Sequence, residues 1–389
     1  MQLFTDAFAT VPDPRADNTR HDLVEMLFLT FVATLCGCKS FVEVAEFATA
    51  KLAFFSKILV LKHGIPSHDR FSTVFRMLDP EALDRAFRKF MAGFGAQLAE
   101  RGLISIDGKA LKGAYEKGRK HAPKMMVSAF AGEVRMTLAT LEAKGGNEVA
   151  AALEILGLID LDGKIVTADA LHTNREFAGA IIAGGGDYCL ALKENQSSLL
   201  SDARAEIGRA ETPPPAPADS ASVDTSAPAP VPQAVAWQPP TTASTEEKGH
   251  GRREKRTAVV VAVPKLGAYH EFPGLKAVGR IVATRQIGNV IETQTRYYAL
   301  SFIPAPEELQ RIARTHWQIE NGLHWELDVV MGEDRSRSRK DNAAQGIAVI
   351  RRLALNVARR DQAKGSLAGK LRRAGWNEAY LLELLSQTR

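Results

Sequence analysis

Between Gly102 and Leu192 the order of the apolar runs confines the chain to few folds. Leu103–Ile106 reads as a short apolar strand ending in Asp107-Gly108-Lys109. Met125–Ala131 and Val134–Leu141 are β-rich runs separated by Gly132-Glu133, a hairpin turn. Asn147 is placed to cap a helix running to Leu156, and Lys164–Thr167 is another apolar strand, ending in Ala168-Asp169. Asn174 caps a helix to Ile182, and Gly184-Gly185-Gly186 leads into the strand Tyr188–Leu192. The order is strand, hairpin, helix, strand, helix, strand. It predicts an α/β fold: a mixed sheet with helices covering its faces.

The flanks differ. Residues 1–98 lack strand signals and read as a helical domain, with helices expected over Val42–Leu52, Asp69–Leu78 and Pro80–Gly95. Asp22 can cap the apolar run Met26–Cys38, which Lys39 and Ser40 end. That run is shorter than the roughly 18 residues a spanning helix needs, and a region with acids rather than a short basic segment precedes it. A buried helix, no membrane partner and a cytoplasmic location are therefore expected. Cys36, Cys38 and Cys189 offer neither a disulfide framework nor a four-ligand zinc site. Nine of the eighteen prolines fall within 212–245, where only Asp219 and Asp224 are charged, so 211–247 reads as a Pro/Ala-rich linker. Thr257–Val263, Ala277–Gln286 and Val290–Leu300 make 248–303 a β-rich insertion, with Ile287-Gly288-Asn289 as a hairpin turn. From 304 to 389 the chain is helical again.

Charge is unevenly spread. Residues 335–373 hold twelve Lys/Arg against Asp341 and Asp361, a local +10 in a chain of net +5. The rest is therefore slightly acidic. A basic segment on such a body is the footprint of a polyanion-binding surface, or else a solvated helix face; paired arginines with few acids favour nucleic acid.

Asp107 and Asp169 each follow an apolar strand, and active sites of open α/β sheets gather beyond strand ends. The helix expected after Pro306 projects Leu309, Ile312, Ala313, His316, Leu323 and Leu327 as one stripe, with Glu320 near its middle. A carboxylate on an apolar face is costly unless it is paired or binds a metal. Glu326 and Asp328 project elsewhere. Three carboxylates from two strands and a helix suit Mg²⁺ or Mn²⁺, and two such ions can drive in-line phosphoryl displacement. With the basic flank, this points to cutting or joining nucleic acid.

Many short segments, in order along nearly the whole chain, resemble the bacterial insertion-sequence DDE transposases, in particular the family that includes the H-repeat-associated proteins. They include Val11-Pro12-Asp13-Pro14-Arg15, Gly64-Ile65-Pro66-Ser67-His68-Asp69, Ile106-Asp107-Gly108-Lys109, Asp169-Ala170-Leu171-His172-Thr173, Leu192-Lys193-Glu194-Asn195-Gln196, Lys248-Gly249-His250-Gly251-Arg252 and His316-Trp317-Gln318-Ile319-Glu320-Asn321. Arg339-Lys340-Asp341-Asn342-Ala343-Ala344 continues the match. The resemblance implies an RNase H-like core beginning in 99–210 and completed from 304, with the β segment inserted. It implies Asp107, Asp169 and Glu320 as the catalytic, metal-holding acids, in agreement with the reading of the residues. It implies DNA partners, namely terminal repeats and target, and a homodimer or larger synaptic complex. The family's auxiliary Tyr, Arg and Lys around the glutamate are not matched: His316 and Leu327 stand there.

Further DNA contacts are expected from Lys109, Lys112, His172, Lys193, Asn195, Arg252, His316, Arg337, Arg339, Lys340, Arg351 and Arg352. Trp317 and Trp325 read as core packing ahead of base stacking. Two rival functions stay open on sequence alone: a nuclease of the same fold without strand transfer, and a DNA-binding remnant without catalysis.

Overall fold

The computed structural model describes residues 2–17, 19–94, 102–114, 123–213, 238–249 and 251–387. The helices are α1 (Gln2–Phe8), α2 (Leu23–Leu35), α3 (Phe41–Ala50), α4 (Leu52–Phe55), α5 (His68–Met77) and α6 (Pro80–Phe94), followed by β1 (Leu103–Ala110), β2 (Met125–Ala131), β3 (Met136–Glu142), α7 (Glu148–Leu156) and β4 (Ile165–Ala168). Next come α8 (Arg175–Ala183), β5 (Asp187–Leu192), α9 (Ser197–Glu211), β6 (Thr242–Gly249), β7 (Arg252–Ala262), α10 (Leu266–Tyr269), β8 (Ala277–Ile287) and β9 (Val290–Leu300). The chain ends with α11 (Pro306–His316), α12 (Ala343–Arg360), α13 (Leu367–Trp376) and α14 (Glu378–Ser386). No helix is long and apolar enough to cross a membrane among the described residues.

Two compact units emerge. The first comprises Met1–His172, Ala183–Gly186 and Arg314–Arg389; the second comprises Thr173–Ile182 and Asp187–Ala313. This redraws the expected boundaries. β5 pairs antiparallel with β9, Cys189 opposite Leu300, so the chain from Thr173 gathers with the β segment rather than leaving it a separate insertion. Within the second unit the strands run β5-β9-β8-β7-β6. The expected linker 211–247 also ends early. Thr242–Gly249 is strand β6, paired with β7 and anchored where Gln310 Nε2 donates to the Ala243 carbonyl at 2.9 Å. Most of that linker, 214–237, lies outside the described residues.

In the first unit, β1 is antiparallel to β2 and parallel to β4, giving the mixed order β3-β2-β1-β4. Local capping fixes the helix starts: Asp22 Oδ1 accepts the Glu25 amide (2.9 Å), Asn147 Oδ1 that of Ala150 (3.1 Å), and Asp79 those of Glu81 and Ala82. Sequence reading leaves out α1, whose Phe4 and Phe8 stack at 4.2 Å, Phe4 also meeting Phe28 and Phe31 of the buried α2. Each such ring contributes roughly 2–3 kcal/mol by leaving water.

The core is organised around α12, which corrects the basic-tail expectation. Every residue from Ala343 to Ala358 is buried, and the helix packs on α2, α5, α6 and β3. Its Asn356 amide bonds both backbone groups of Thr137 in β3, at 3.0 and 2.8 Å. Arg351 and Arg352 are buried, so they cannot be the exposed phosphate contacts expected of them. Arg359 is held by Glu326, and Arg360 lies over the Phe94 ring at 4.6 Å.

Candidate active site

The site starts from strand register. β1 and β4 pair in parallel from Leu103↔Ile165 to Ile106↔Ala168, where their pairing stops. Asp107 and Asp169 are the next residue of each chain. Neighbouring strands lie about 4.8 Å apart, so the two acids leave the sheet side by side. β1 itself runs on past Asp107 to Ala110, because β2 still pairs it, Asp107 opposite Ser128. Asp107 is therefore held within a strand rather than on the turn expected after one.

Side chains alternate along a strand, so Ser105, Asp107 and Lys109 share a face. On that face Thr167 Oγ1 donates to Ser105 Oγ (3.0 Å) and lies 2.9 Å from Nδ1 of His316. This contact pins the end of α11 to the sheet one turn before Glu320. The expected regular helix then opens: Ile319–His324 and Glu326–Val330 are π turns, wider than 3.6 residues. Ile319, Leu323 and Leu327 are buried, and Glu320 is half-buried. The π turns invalidate a projection at 100° per residue beyond His316, yet Glu320 remains near enough for its charge to reach Asp107. Its charge, with those of Asp169 and Glu148, acts on Asp107.

Burial first, then the fields of those three carboxylates, pushes the Asp107 carboxyl up to about 7, against a 2.9 Å hydrogen bond from the Gly108 amide. Glu148, at the start of α7, was missed by the sequence reading. Its Oε2 would lie 2.2 Å from a Cβ at position 108, so a side chain there would displace the Glu148 carboxylate. The only sequence sign was its place beside the Asn147 cap. His324 was also missed. Its Nδ1 stands 3.7 Å from Asp107 Oδ2, and burial with the charges of Arg352 and Lys109 drives it down to about 3, so the imidazole is neutral.

Behind Asp107 lies a buried charged layer. Arg352 Nε donates to Ser128 Oγ (3.3 Å), and its Nη1 meets Glu333 Oε1 at 3.1 Å. Lys109 is buried too, bonded to Asp328 (2.7 Å) and Asp334 (3.3 Å), so its expected phosphate contact is replaced by internal pairing. His172 is buried beside Asp169, and burial lowers its pKa. Lys112 is exposed, 3.7 Å from Asp334. Arg337, Arg339 and Lys340 are exposed. Lys193, Asn195 and Arg252 belong to the second unit, where all three are exposed and Arg252 meets Glu254 at 2.8 Å. Trp325 is 54% exposed and so does not pack as the core residue expected.

Glu326, six residues after Glu320, is spent elsewhere, on Arg135 (2.9 Å) and Arg359. The oxygen-only donor set Asp107, Asp169 and Glu320 has the chemistry of a hard divalent cation's ligands, and a cation's charge would oppose the burial and the carboxylate repulsion that raise Asp107. Among the described residues, no three acid, histidine or cysteine side chains are yet gathered tightly enough to enclose an ion.

A family model described as the transposase DDE domain matches residues 98–357, and one described as DDE_Tnp_1-associated matches 5–91. The Escherichia coli K12 protein YbfL is 31% identical over 395 residues, covering 99% of this chain and 98% of the relative. The "H repeat-associated putative transposase YhhI" of the same strain is 30% identical with the same coverage. Among solved structures, a piggyBac transposase synaptic complex with hairpin DNA aligns with 100% of this chain and 80% of its own, at TM-score 0.45 and 11% identity. With a domain match over more than half its length and full-length relatives, the chain belongs to the DDE transposase family.

Proposed function

We propose that the chain hydrolyses a phosphodiester at each end of its element and transfers the exposed 3′-hydroxyl to target DNA, with Asp107, Asp169 and Glu320 as the catalytic acids. The observation that supports the proposal is the register of β1 and β4, whose pairing ends one residue before Asp107 and Asp169, with the Thr167–His316 contact four residues before Glu320 and the charges of Asp169 and Glu320 acting on Asp107. These three would hold the metal ions. Two Mg²⁺ or Mn²⁺ ions, when bound, activate the attacking oxygen and stabilise the leaving one.

In the first step a water oxygen bonds to phosphorus, the bond to the 3′ oxygen breaks, and that oxygen takes up a proton. In the second, the freed 3′-hydroxyl attacks a target phosphodiester, forming one phosphorus–oxygen bond as another breaks. No oxidant or external energy source is needed. The chain's part is to fix the acids through β1, β4 and the His316 contact, and to keep His324 neutral beside Asp107. Two ends must be joined in one event, so a homodimer or larger assembly belongs to the proposal.

The test is product analysis on plasmid DNA carrying the element's ends, with Mg²⁺. Joined products are expected. Nicked or linear products alone, at every protein concentration, would reduce the function to a nuclease.

A further inference from the structure

A groove in the first unit is separate from the acid cluster, whose Asp107, Asp169 and Glu320 do not line it. It encloses about 1020 Å³ between the starts of α3 and α5 on one side and the segment Gly332–Asp341 on the other. Six Lys/Arg line it against three acids. Of the acids, Asp341 pairs with Arg76 at 2.7 Å and Glu43 accepts the Lys39 amide (2.6 Å), while Asp69 is exposed, 3.4 Å from His68. Lys39, Arg335, Arg337, Arg339 and Lys340 are exposed.

The segment is an arm pinned at both ends. Glu333 is buried on Arg352, and Asp334 is held by Lys109 and Lys112. At the far end Asp341, in a left-handed conformation (φ 51°), is held by Arg76, and its carbonyl accepts from Lys124. Glu333 and Asp334 thus turn inward, the exposed Asp341 is paired with Arg76, and Arg335-Ser336-Arg337-Ser338-Arg339-Lys340 presents alternating guanidinium and hydroxyl donors to the groove. Ser40, Ser72 and Thr73 add hydroxyl donors from the opposite wall. Guanidinium and hydroxyl donors, with cations outnumbering acids two to one, suit phosphate oxygens, not bases or apolar surface. The residue that fixes one end of the arm, Lys109, lies two positions from Asp107 on the same strand face.

We propose that this groove holds the sugar–phosphate backbone of duplex DNA next to the cleavage site, its grip shared between the helical N-terminal segment and the arm 335–340. The inference rests on the reading of the chain as a DNA-cleaving transposase. Because backbone contacts carry no sequence information, a duplex of arbitrary sequence serves as the probe.

The experiment measures binding of a fluorescent 30-base-pair duplex by anisotropy between 50 and 200 mM salt. Three proteins are compared: wild type, Arg335→Gln/Arg337→Gln/Arg339→Gln, and a charge-matched control with Lys57→Gln/Lys62→Gln/Arg85→Gln, exposed residues outside the groove. Thermal midpoints confirm that all three fold. The groove variant should lose about tenfold or more in affinity, and its log–log salt slope should flatten by about 2–3, near 0.9 per lost phosphate contact. The control should stay close to wild type. Equal behaviour of the two variants overturns the groove while leaving the DNA reading intact. A wild type that shows no salt-dependent DNA binding overturns both. Loss of poly-glutamate binding in the groove variant with DNA affinity unchanged also overturns it, in favour of an acidic peptide.

Discussion

Glu333→Gln should be among the most damaging single changes in the first unit, although it touches no substrate. The Glu333 side chain is 1% exposed and that of Arg352 0%, with 3.1 Å between them. At an effective dielectric of about 20, a pair at that distance attracts by roughly 5 kcal/mol. Removing one partner strands the other charge, which costs about 3–5 kcal/mol. Arg351, fully buried alongside, also depends on Glu333, since burial lowers its pKa and the Glu333 charge raises it. For a unit of this size, 1 kcal/mol moves the midpoint by about 2–4 °C, so Glu333→Gln should lower it by roughly 6–20 °C. Circular dichroism melts and guanidinium titrations at one pH provide the measurement. Arg352→Met with Glu333→Leu removes both charges of the pair and should recover part of the loss, Arg351 still lacking the Glu333 charge. A Glu333→Gln protein within about 1 kcal/mol of wild type would refute the reasoning and return Arg351 and Arg352 to the candidates for DNA contact.

Other outcomes follow from the same geometry. Asp107 is held near 7 when folded and near 3.8 when unfolded, so the native state binds more protons between those values and stability should fall as pH rises from about 4 to 7. Asp107→Asn should reduce that fall in chelator-treated protein, most clearly between pH 6 and 7, above the value of about 6 to which burial raises Asp84, as melts across that range would show; a slope unchanged by the substitution would contradict the assignment. Mg²⁺ should raise the wild-type midpoint above pH 7 and leave Asp107→Asn unmoved. Glu326→Gln, which deprives the buried Arg359 of its partner, should cost about 3 kcal/mol in denaturant titrations. Replacing 214–237 by a Gly/Ser segment of equal length should shift the midpoint little, because loop closure depends weakly on what the loop contains.

Much of the site was legible because its logic is local. An apolar strand ending in Asp107-Gly108, another ending in Ala168-Asp169, and a carboxylate on a buried stripe each leave a mark within ten residues. The helix caps Asp22, Asn147 and Asn174 were legible for the same reason. The illegible parts depend on partners far along the chain. Arg351 and Arg352 look like surface charge until Glu333, Ser128 and the Lys39 carbonyl close around them. Periodicity assumes 3.6 residues per turn, so the π turns around Glu320 could not be read from it. Thr242–Gly249 carries mostly polar residues and becomes a strand only because β7 pairs with it. Glu148 and His324 have no motif of their own; the sheet brings them to Asp107.

The central claim is that Asp107, Asp169 and Glu320, rather than any other acid of these elements, do the chemistry. Mg²⁺-dependent strand cleavage of DNA carrying the element's ends, measured per folded molecule, tests it in Glu320→Gln beside Glu326→Gln. The account predicts that Glu320→Gln melts like wild type and binds DNA but loses cleavage by at least about 10²-fold, a loss typical of removing one transition-state stabilising group. Glu326→Gln should be less stable, with cleavage per folded molecule near wild type. Full cleavage by Glu320→Gln, or the reverse ranking of the two variants, would contradict it.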